Sequence, residues 1–335
     1  MIDAVGALLG KSEVRLLAPR QHPAWIAPML ATLTKKRFSH PRWLYECKFD
    51  GERALCFRNG SRVRLLSRNR LNIGGTYPEI VDALALQRSS DFVVDGEIVA
   101  FEKGVTSFAK LQKRMQITDP TKARASHIVV YYYLFDIPHL EGYGLEQLPL
   151  RRRKALLRQA ITFCDPLRYT AHRNCDGESY FTYACTKRWE GIIAKRAASE
   201  YCHCRSVDWL KFKCTTRQEL VIGGFTQPHG TRIGFGALLV GYYENGALRY
   251  AGRVGTGYNN RFLAAFRKQL DKLRRETSPF SDKVKERGVT WVSPELVGEF
   301  EFTEWTRDGK LRHPRFLGLR RDKVPADVVL ESATG

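Results

Sequence analysis

The sequence predicts an α+β protein with two domains. Its 335 residues exceed what one hydrophobic core usually holds. Over the first two thirds, segments with strand character alternate with segments of helical periodicity, whereas short strands punctuated by glycine dominate afterwards. We therefore predict a first domain of mixed antiparallel sheets and helices over residues 1–215 and a second, strand-rich domain over residues 216–335.

Turn chemistry and side-chain periodicity predict the elements of the first domain. Residues 43–49 (WLYECKF) alternate in character and predict a strand, and Asn59-Gly60 predicts the turn of the hairpin that follows. Thr76 and Glu79 have the spacing of a capping box, which predicts a helix over residues 76–86. Similar patterns predict strands at 91–101, 127–137, 191–196 and 208–214 and a basic amphipathic helix at 149–161.

The second domain has a different pattern. Strands interrupted by glycine run through residues 220–257, and Asn245-Gly246 predicts a hairpin turn within them. A basic helix follows around residues 260–276, and the last strands lie within 295–319. Many short strands with one helix are typical of a small β-barrel of the oligonucleotide-binding (OB) type.

The charge of the chain predicts a polyanionic partner. Lys and Arg number 55 against 35 Asp and Glu, which gives a formal net charge of +20. Nucleic acid is the first candidate and an acidic membrane surface the second. The sequence has no apolar run of membrane-spanning length and no signal-peptide pattern at its start, so we expect a cytoplasmic protein that binds no membrane.

The eight cysteines have no framework spacing, and the simplest interpretation is that all are reduced thiols. Cys202, His203 and Cys204 form the one cluster that suggests metal chemistry. A zinc site would need a second ligand pair, which Cys185 or Cys214 could supply only if the fold brings it close. Zinc is therefore the weaker hypothesis.

Lys48 lies near the end of the first predicted strand, where it could act as a nucleophile. A lysine is nucleophilic only when neutral, and lowering its pKa from 10.4 to near 7 costs about 4 kcal/mol, so it needs nearby cations or a desolvated pocket. Lys211 and Lys213 share one face of a strand, because side chains alternate with period two. Two ammonium groups on one face suit a phosphate, although two lysines on an exposed strand face without a ligand would have the same spacing.

Two acids and an aromatic residue add to this pattern. Glu97 and Glu190 each precede an apolar run in strand context, where an unpaired charge is costly. They could bind a divalent metal or a ribose hydroxyl, or form salt bridges with arginines. Phe135 could stack on a base or belong to the core.

Together and in order, these stretches resemble the nucleotidyltransferase superfamily of ATP-dependent DNA ligases and mRNA capping enzymes. Three further stretches, FAKLQKRM, VGTGY and EFTEWTRDGKLRHPRFLGLR, are similar to the ligase domain of bacterial ligase D, the end-joining enzyme that works with Ku. The resemblance covers about residues 25–325. The motifs that carry it are KFDG (48–51), DGE (95–97), YLFD (133–136), EGIIAK (190–195), WLKFK (209–213) and RRDK (320–323).

The resemblance implies an adenylation (nucleotidyltransferase) domain over residues 1–215 and an OB-fold β-barrel domain over residues 216–335. It implies that Lys48 attacks the α-phosphorus of ATP, releases pyrophosphate and holds AMP as a phosphoramide. The AMP would pass to the 5′-phosphate at a DNA nick, and the neighbouring 3′-hydroxyl would displace it.

The resemblance also implies catalytic and metal-binding roles. Lys211 and Lys213 would neutralise the α-phosphate, and Asp50 would orient Lys48 or a metal-bound water. Glu97 and Glu190 would hold Mg²⁺ or Mn²⁺.

Further residues are implied to bind the nucleotide. Arg53 and Arg68 would hold the ribose or the 5′-phosphate of the nick, and Phe135 would stack on adenine. Arg320 and Lys323 would reach the β- and γ-phosphates when the second domain closes. The other implied cofactor-binding residues are Glu46, Glu97 and Lys195.

The expected partner is double-stranded DNA with nicks or breaks, with Ku as a candidate protein partner. The expected protein is a monomer of the bacterial nucleoid that acts in repair by non-homologous end joining. Three alternatives stay open: an RNA ligase, a GTP-using capping guanylyltransferase, and a DNA-binding relative without catalysis.

Overall fold

The computed structural model describes residues 11–306 and 308–331. The chain divides into two compact units between Cys214 and Thr215. Each unit buries its own apolar clusters.

The first unit contains short helices and strands in alternation. In chain order, its helices are α1 (Lys11–Val14), α2 (Pro78–Ala85), α3 (Phe108–Met115), α4 (Pro120–Ala125), α5 (Leu150–Ala160) and α6 (Gly177–Thr186). Its strands are β1 (Ala18–Pro19), β2 (Leu30–Leu33), β3 (Trp43–Lys48), β4 (Glu52–Asn59), β5 (Arg62–Ser67), β6 (Asp91–Val99), β7 (Phe101–Glu102), β8 (Val105–Thr106), β9 (Tyr131–Leu140), β10 (Tyr143–Gly144), β11 (Leu167–Tyr169), β12 (His172–Asn174), β13 (Gly191–Arg196) and β14 (Arg205–Lys213).

Most of these strands assemble into two sheets. The larger has seven strands in the order β1-β10-β9-β6-β4-β5, with β11 added in parallel along β9. The smaller has five strands in the order β12-β3-β13-β14-β2, and it is antiparallel except for the β14–β2 pair. Strands β7 and β8 form a separate short hairpin.

The two sheets pack face to face, because alternate residues of each strand point to opposite sides. Leu55 of β4 and Phe135 of β9 share one buried cluster with Leu44 of β3 and Trp209 of β14. On the outer face of the seven-stranded sheet, helices α2, α3 and α5 cover a second cluster. Helix α6 packs on the outer face of the five-stranded sheet.

Several boundaries differ from the sequence predictions. Helix α2 begins at Pro78 with Tyr77 as its N-cap and no side-chain capping bond, so the predicted capping box was wrong. Glu79 instead pairs with Arg114 at 2.7 Å. Helices α3, α4 and α6 were not predicted from the sequence. A capping signal for α3 was nevertheless present, because Ser107 accepts a hydrogen bond from the Lys110 backbone N–H.

The second unit consists mainly of strands. In chain order, they are β15 (Arg217–Thr226), β16 (Leu238–Glu244), β17 (Ala247–Val254), β18 (Arg274–Arg275), β19 (Val289–Glu301), β20 (Glu304–Trp305), β21 (Leu311–Arg312) and β22 (Arg315–Leu319), with helix α7 (Asn260–Lys272) and a 3₁₀ turn at Pro325–Asp327. The main sheet has the order β17-β16-β15-β19-β18, and β22 also pairs with β19. Over the described residues this pairing forms an open path and not a closed ring.

Among residues 11–306 and 308–331, we find no helix with both the length and the apolar character needed to cross a bilayer.

Gly51 lies in the connection between β3, which ends at Lys48, and β4. Neighbouring backbone atoms leave no room for a side chain at this position. A Cβ atom here would overlap the carbonyl oxygen of Ile98 and approach Val99 Cγ1 to 2.9 Å. We expect Gly51→Ala to lower the free energy of unfolding by about 1–3 kcal/mol, because the strand that carries Ile98 must shift. Chemical denaturation measures this, and Gly255→Ala is the control, since its added Cβ would lie 3.9 Å from the nearest atom. Equal effects of the two changes would contradict the steric explanation.

Candidate active site

The inner face of the five-stranded sheet brings together the lysines that the sequence singled out. Lys48 of β3 is paired with Gly191 of β13, which is paired in turn with Lys213 of β14. Directly paired residues point to the same side of a sheet, and so do residues two apart along a strand. Glu46 and Lys211 therefore share this face with Lys48 and Lys213.

The Lys48 ammonium is paired with the Glu190 carboxylate, and their side chains are 18% and 7% exposed. Burial favours the neutral amine, but the charges of Glu190, Asp50 and Glu97 outweigh it and raise the pKa of Lys48 above its usual value. The sequence argument expected nearby cations to lower this pKa. In the ligand-free protein the acids dominate instead, so Lys48 is protonated.

We expect this pairing to control the reactivity of Lys48 toward an amine-selective acylating reagent. In the ligand-free protein, labelling of Lys48 should keep rising with pH to 10.5 without a plateau, because its pKa lies above that usual value. In Glu190→Gln the labelling curve should move to lower pH, because a main cause of the raised pKa of Lys48 is gone. At any pH below the pKa of Lys48 in the variant, lowering that pKa by one increases the labelling about tenfold. Peptide mass spectrometry measures both, with exposed Lys122 as the reference in the same digest. An unchanged curve in Glu190→Gln would show that the ion pair does not set the pKa.

Glu46 lies at the centre of a buried cluster of three charges. Its two carboxylate oxygens accept hydrogen bonds from Lys154 and Lys195, each at 2.6 Å. Burial would raise the pKa of Glu46, but the two ammonium groups lower it below the usual value. For Lys195, burial outweighs Glu46 and lowers the pKa to about 8. Lys154 was missed by the sequence analysis, although its place among the apolar positions of α5 was a signal that its side chain is buried.

Phe135 is 7% exposed and two cations lie over its ring. The Arg53 guanidinium is 4.5 Å from the ring centroid, and the Lys195 ammonium is 4.1 Å from it and 4.0 Å from that of Trp209. Phe135 thus belongs to the apolar cluster between the sheets and also contacts the charged residues beside it. Stacking of adenine on Phe135 stays a prediction, and it would require rearrangement of these cations.

Arg53 is held in place by Asp95, a fully buried residue that the sequence analysis did not include in the site. The guanidinium donates to both Asp95 oxygens at 2.5 and 2.6 Å and to the Met29 carbonyl at 3.2 Å. The Tyr201 hydroxyl donates to the same carboxylate at 2.6 Å. Arg53 is also paired in register with Glu97 across β4 and β6, so its side chain lies on the same face as Glu97.

The remaining predicted residues of the first unit are half-buried at the ends of strands. Arg68 follows β5 directly, and Asp50 follows β3. The Asp50 backbone N–H donates to the Thr106 hydroxyl at 3.2 Å, which fixes the loop after Lys48.

The predicted phosphate-binding residues of the second unit are tied to acids within that unit. Arg320 is buried and donates to both oxygens of Asp322 at 2.9 and 2.7 Å, and it lies 3.4 Å from Glu299. Lys323 pairs with Glu219 at 3.0 Å. Binding of β- and γ-phosphates by Arg320 and Lys323 stays a prediction.

The prediction that all cysteines are reduced was wrong. Cys185 on α6 and Cys214, directly after β14, form a disulfide, because α6 packs against the sheet that contains β14. This bond removes both cysteines as the second ligand pair of the hypothetical zinc site. Cys202 and Cys204 have their sulfur atoms 3.0 Å apart.

Two packed sheets, with a lysine paired to an acid on their inner face and two more lysines on the same face, are the architecture of a nucleotidyltransferase. Residues 28–213 match the family model described as ATP dependent DNA ligase domain, and residues 231–323 match the ATP dependent DNA ligase C terminal region. The chain belongs to the ATP-dependent DNA ligase family, which confirms the family predicted from the motifs.

Curated relatives place the chain near one type of bacterial ligase. It is 39% identical over 327 residues to the multifunctional non-homologous end joining protein LigD of Pseudomonas aeruginosa, covering 93% of this chain and 37% of that protein. It is 36% identical over 316 residues to LigD of Mycolicibacterium smegmatis, covering 92% of this chain and 40% of that protein. The chain thus spans about two fifths of the length of these relatives.

Solved structures agree with this assignment. The chain is similar to mycobacterial DNA ligase D complexed with ATP and MES, with 35% identity, a TM-score of 0.63, and coverage of 91% of this chain and 98% of that one. The ligase domain of M. tuberculosis LigD has the same identity and coverage and a TM-score of 0.50. These likenesses confirm the predicted fold class and the predicted resemblance to ligase D.

Proposed function

We propose that this protein uses ATP to seal breaks in double-stranded DNA through a covalent Lys48–AMP intermediate. The arrangement of Lys48 carries the proposal. Its amine lies on the inner sheet face together with Lys211 and Lys213, and Glu190, Glu97 and Asp50 all act on its charge.

Three displacements at phosphorus would complete the reaction. The neutral Lys48 amine attacks the α-phosphorus of ATP, a nitrogen–phosphorus bond forms, and pyrophosphate leaves. An oxygen of the DNA 5′-phosphate then attacks the same phosphorus, which breaks the bond to Lys48 and leaves AMP on the DNA. The 3′-hydroxyl finally attacks the 5′-phosphate, forms the phosphodiester and releases AMP. Lys211 and Lys213 would balance the charge of the α-phosphate on the shared face.

The acids beside Lys48 fit a divalent cation. Glu97 and Glu190 supply the oxygen ligands that Mg²⁺ and Mn²⁺ prefer, so these two residues would hold the ion. A bound ion supplies positive charge for the phosphates of ATP. Once Glu190 no longer pairs with the ammonium, the pKa of Lys48 falls, because the burial that favours the neutral amine remains.

DNA is the proposed acceptor because of family membership, the net charge of +20 and the names of the relatives, which are end-joining proteins. We extend the proposal to repair of double-strand breaks on the bacterial nucleoid by a monomer, with Ku as a candidate partner. The DNA contacts should be mostly to phosphates, with affinity that falls steeply as salt rises.

The test is to incubate the protein with Mg²⁺ and ATP labelled on the α-phosphate, and to separate the products on a denaturing gel. We expect label that stays with the protein and moves to DNA when unlabelled nicked duplex is added. GTP labelled in the same way should give no such product. Label from GTP, or label that only RNA removes, would overturn the DNA ligase proposal.

A further inference from the structure

A cluster of two histidines and an aspartate lies away from the candidate active site. His22 Nδ1 is 2.7 Å from Asp91 Oδ1, and His139 Nε2 is 3.0 Å from the same oxygen. One ligand atom from each of the three side chains lies within 4.8 Å of the other two. In the described part of the chain, no other group of three or more histidines, cysteines or acids comes together in this way.

The two imidazoles of the cluster are largely enclosed, whereas the Asp91 carboxylate is 25% exposed and held in place by hydrogen bonds. His139 is fully buried, and the side chain of His22 is 9% exposed. The Gly142 backbone N–H donates to Asp91 Oδ2 at 2.7 Å, and His139 Nε2 also lies 3.2 Å from this oxygen, while Oδ1 faces both imidazoles. The second ring nitrogens, His22 Nε2 and His139 Nδ1, are buried and have no hydrogen-bond partner among the described residues. These two nitrogens are turned away from Asp91, so the nitrogens available to an ion at the cluster are His22 Nδ1 and His139 Nε2.

We propose that His22, Asp91 and His139 bind a divalent transition-metal ion of the Zn²⁺ type. Two imidazole nitrogens and one carboxylate oxygen form a ligand set that Zn²⁺ favours, with bonds of about 2.0–2.2 Å and a fourth position open to water. Tetrahedral bonds of that length separate donor atoms by roughly 3.3–3.6 Å. To admit the ion, the His22–Asp91 distance of 2.7 Å must open by roughly 0.6–0.9 Å and the His139–Asp91 distance of 3.0 Å by roughly 0.3–0.6 Å.

The position of the cluster indicates a structural role. Asp91 is the first residue of β6, six positions before Glu97, which corresponds to about 20 Å along an extended strand. His22 lies on the segment between β1 and β2, whereas Asp91 and His139 belong to adjacent strands of the seven-stranded sheet. The ion would thus join this early segment to the middle of the sheet and would not touch the reacting groups around Lys48.

The first test measures bound metal and thermal stability of the full chain. Protein freed of metal with a chelator is supplied with ZnCl₂, and bound zinc is measured by elemental analysis. We expect the wild-type chain to retain one zinc more than the His22→Gln variant and to show a rise in Tm of at least about 3 °C. The His22→Gln variant should lose the zinc-dependent rise relative to its own metal-free baseline, even if that baseline is lower. His229→Gln, at an exposed histidine, should keep it.

Cobalt separates this site from cysteine ligation. Co²⁺ bound by His22, Asp91 and His139 should give weak visible bands without the intense near-ultraviolet band of thiolate coordination. An intense thiolate band, a zinc-dependent rise that persists in His22→Gln, or no zinc retained by the wild-type chain would each overturn the proposal. None of these measurements depends on ligase activity, so failure here leaves the proposed function unaffected.

Discussion

The Lys48→Ala variant is expected to form no covalent adenylate, with label from ATP reduced at least about a thousandfold below the wild type. The alanine side chain offers no nitrogen to the α-phosphorus. The buried Lys154 and Lys195 are not substitutes, because both are committed to the Glu46 carboxylate. A denaturing gel with labelled ATP measures the loss. Lys122→Ala, at an exposed lysine of α4, is the matched control and should label normally.

A second substrate separates loss of the nucleophile from loss of the fold. The Lys48 amine is used up in the first displacement and released in the second, so the third does not need it. We expect Lys48→Ala to seal nicked DNA that already bears a 5′-adenylate, with no added ATP. If the variant still forms a covalent adenylate, the nucleophile lies elsewhere; if it fails to seal this substrate while its thermal melt is normal, Lys48 has a further role in binding.

The second large effect is expected at Glu46. Replacing it with alanine leaves the Lys154 and Lys195 ammonium groups buried without their shared carboxylate. Removing one partner of a buried ionic cluster typically lowers stability by about 3–5 kcal/mol, because an uncompensated charge stays buried. We expect a loss of that size for Glu46→Ala in chemical denaturation. A double variant that also carries Lys195→Met should recover part of it, since one of the two unpaired ammonium groups is removed.

A surface ion pair provides the comparison for Glu46. Asp82 pairs with Arg124 at 2.5 Å, but both side chains are at least half exposed. Asp82→Ala should therefore cost less than about 1 kcal/mol. The effect of Glu46 should also depend on pH in a defined direction. The pKa of Glu46 is lower in the folded protein than the value of 4.5 expected in the unfolded chain. The stabilisation by Glu46 is therefore complete above pH 4.5 and is lost as the pH falls through the pKa of the folded state. Similar losses in the two alanine variants would contradict the role assigned to the buried cluster.

Local pattern predicted the strands that carry the candidate site. The alternation around Lys48 and the period-two spacing of Lys211 and Lys213 predicted two of the site strands, and both are present as β3 and β14. Alternation alone is compatible with a phosphate site at Lys211 and Lys213 and also with an exposed strand face. Only the pairing of β3, β13 and β14 shows that the two lysines share a face with Lys48.

Contacts between distant parts of the chain were not predictable in this way. Lys154 and Glu46 are 108 residues apart, and nothing in either stretch specifies that α5 places one against the other. The Cys185–Cys214 disulfide was missed for the same reason, since the docking of α6 on the sheet brings the two thiols together. The sequence leaves a salt bridge between Glu190 and an arginine as one alternative, whereas the structure pairs Glu190 with Lys48.

Gly191, which is in register with both Lys48 and Lys213, fixes the spacing between these two lysines. Gly191 has a φ of +151°, and a Cβ there would overlap the carbonyl oxygen of Phe212, so the position is restricted to a hydrogen atom. The backbones of Lys48 and Lys213 therefore lie two strand spacings apart, about 9.6 Å, with Gly191 between them. Any side chain at Gly191 would thus push β14, and with it Lys213, away from Lys48.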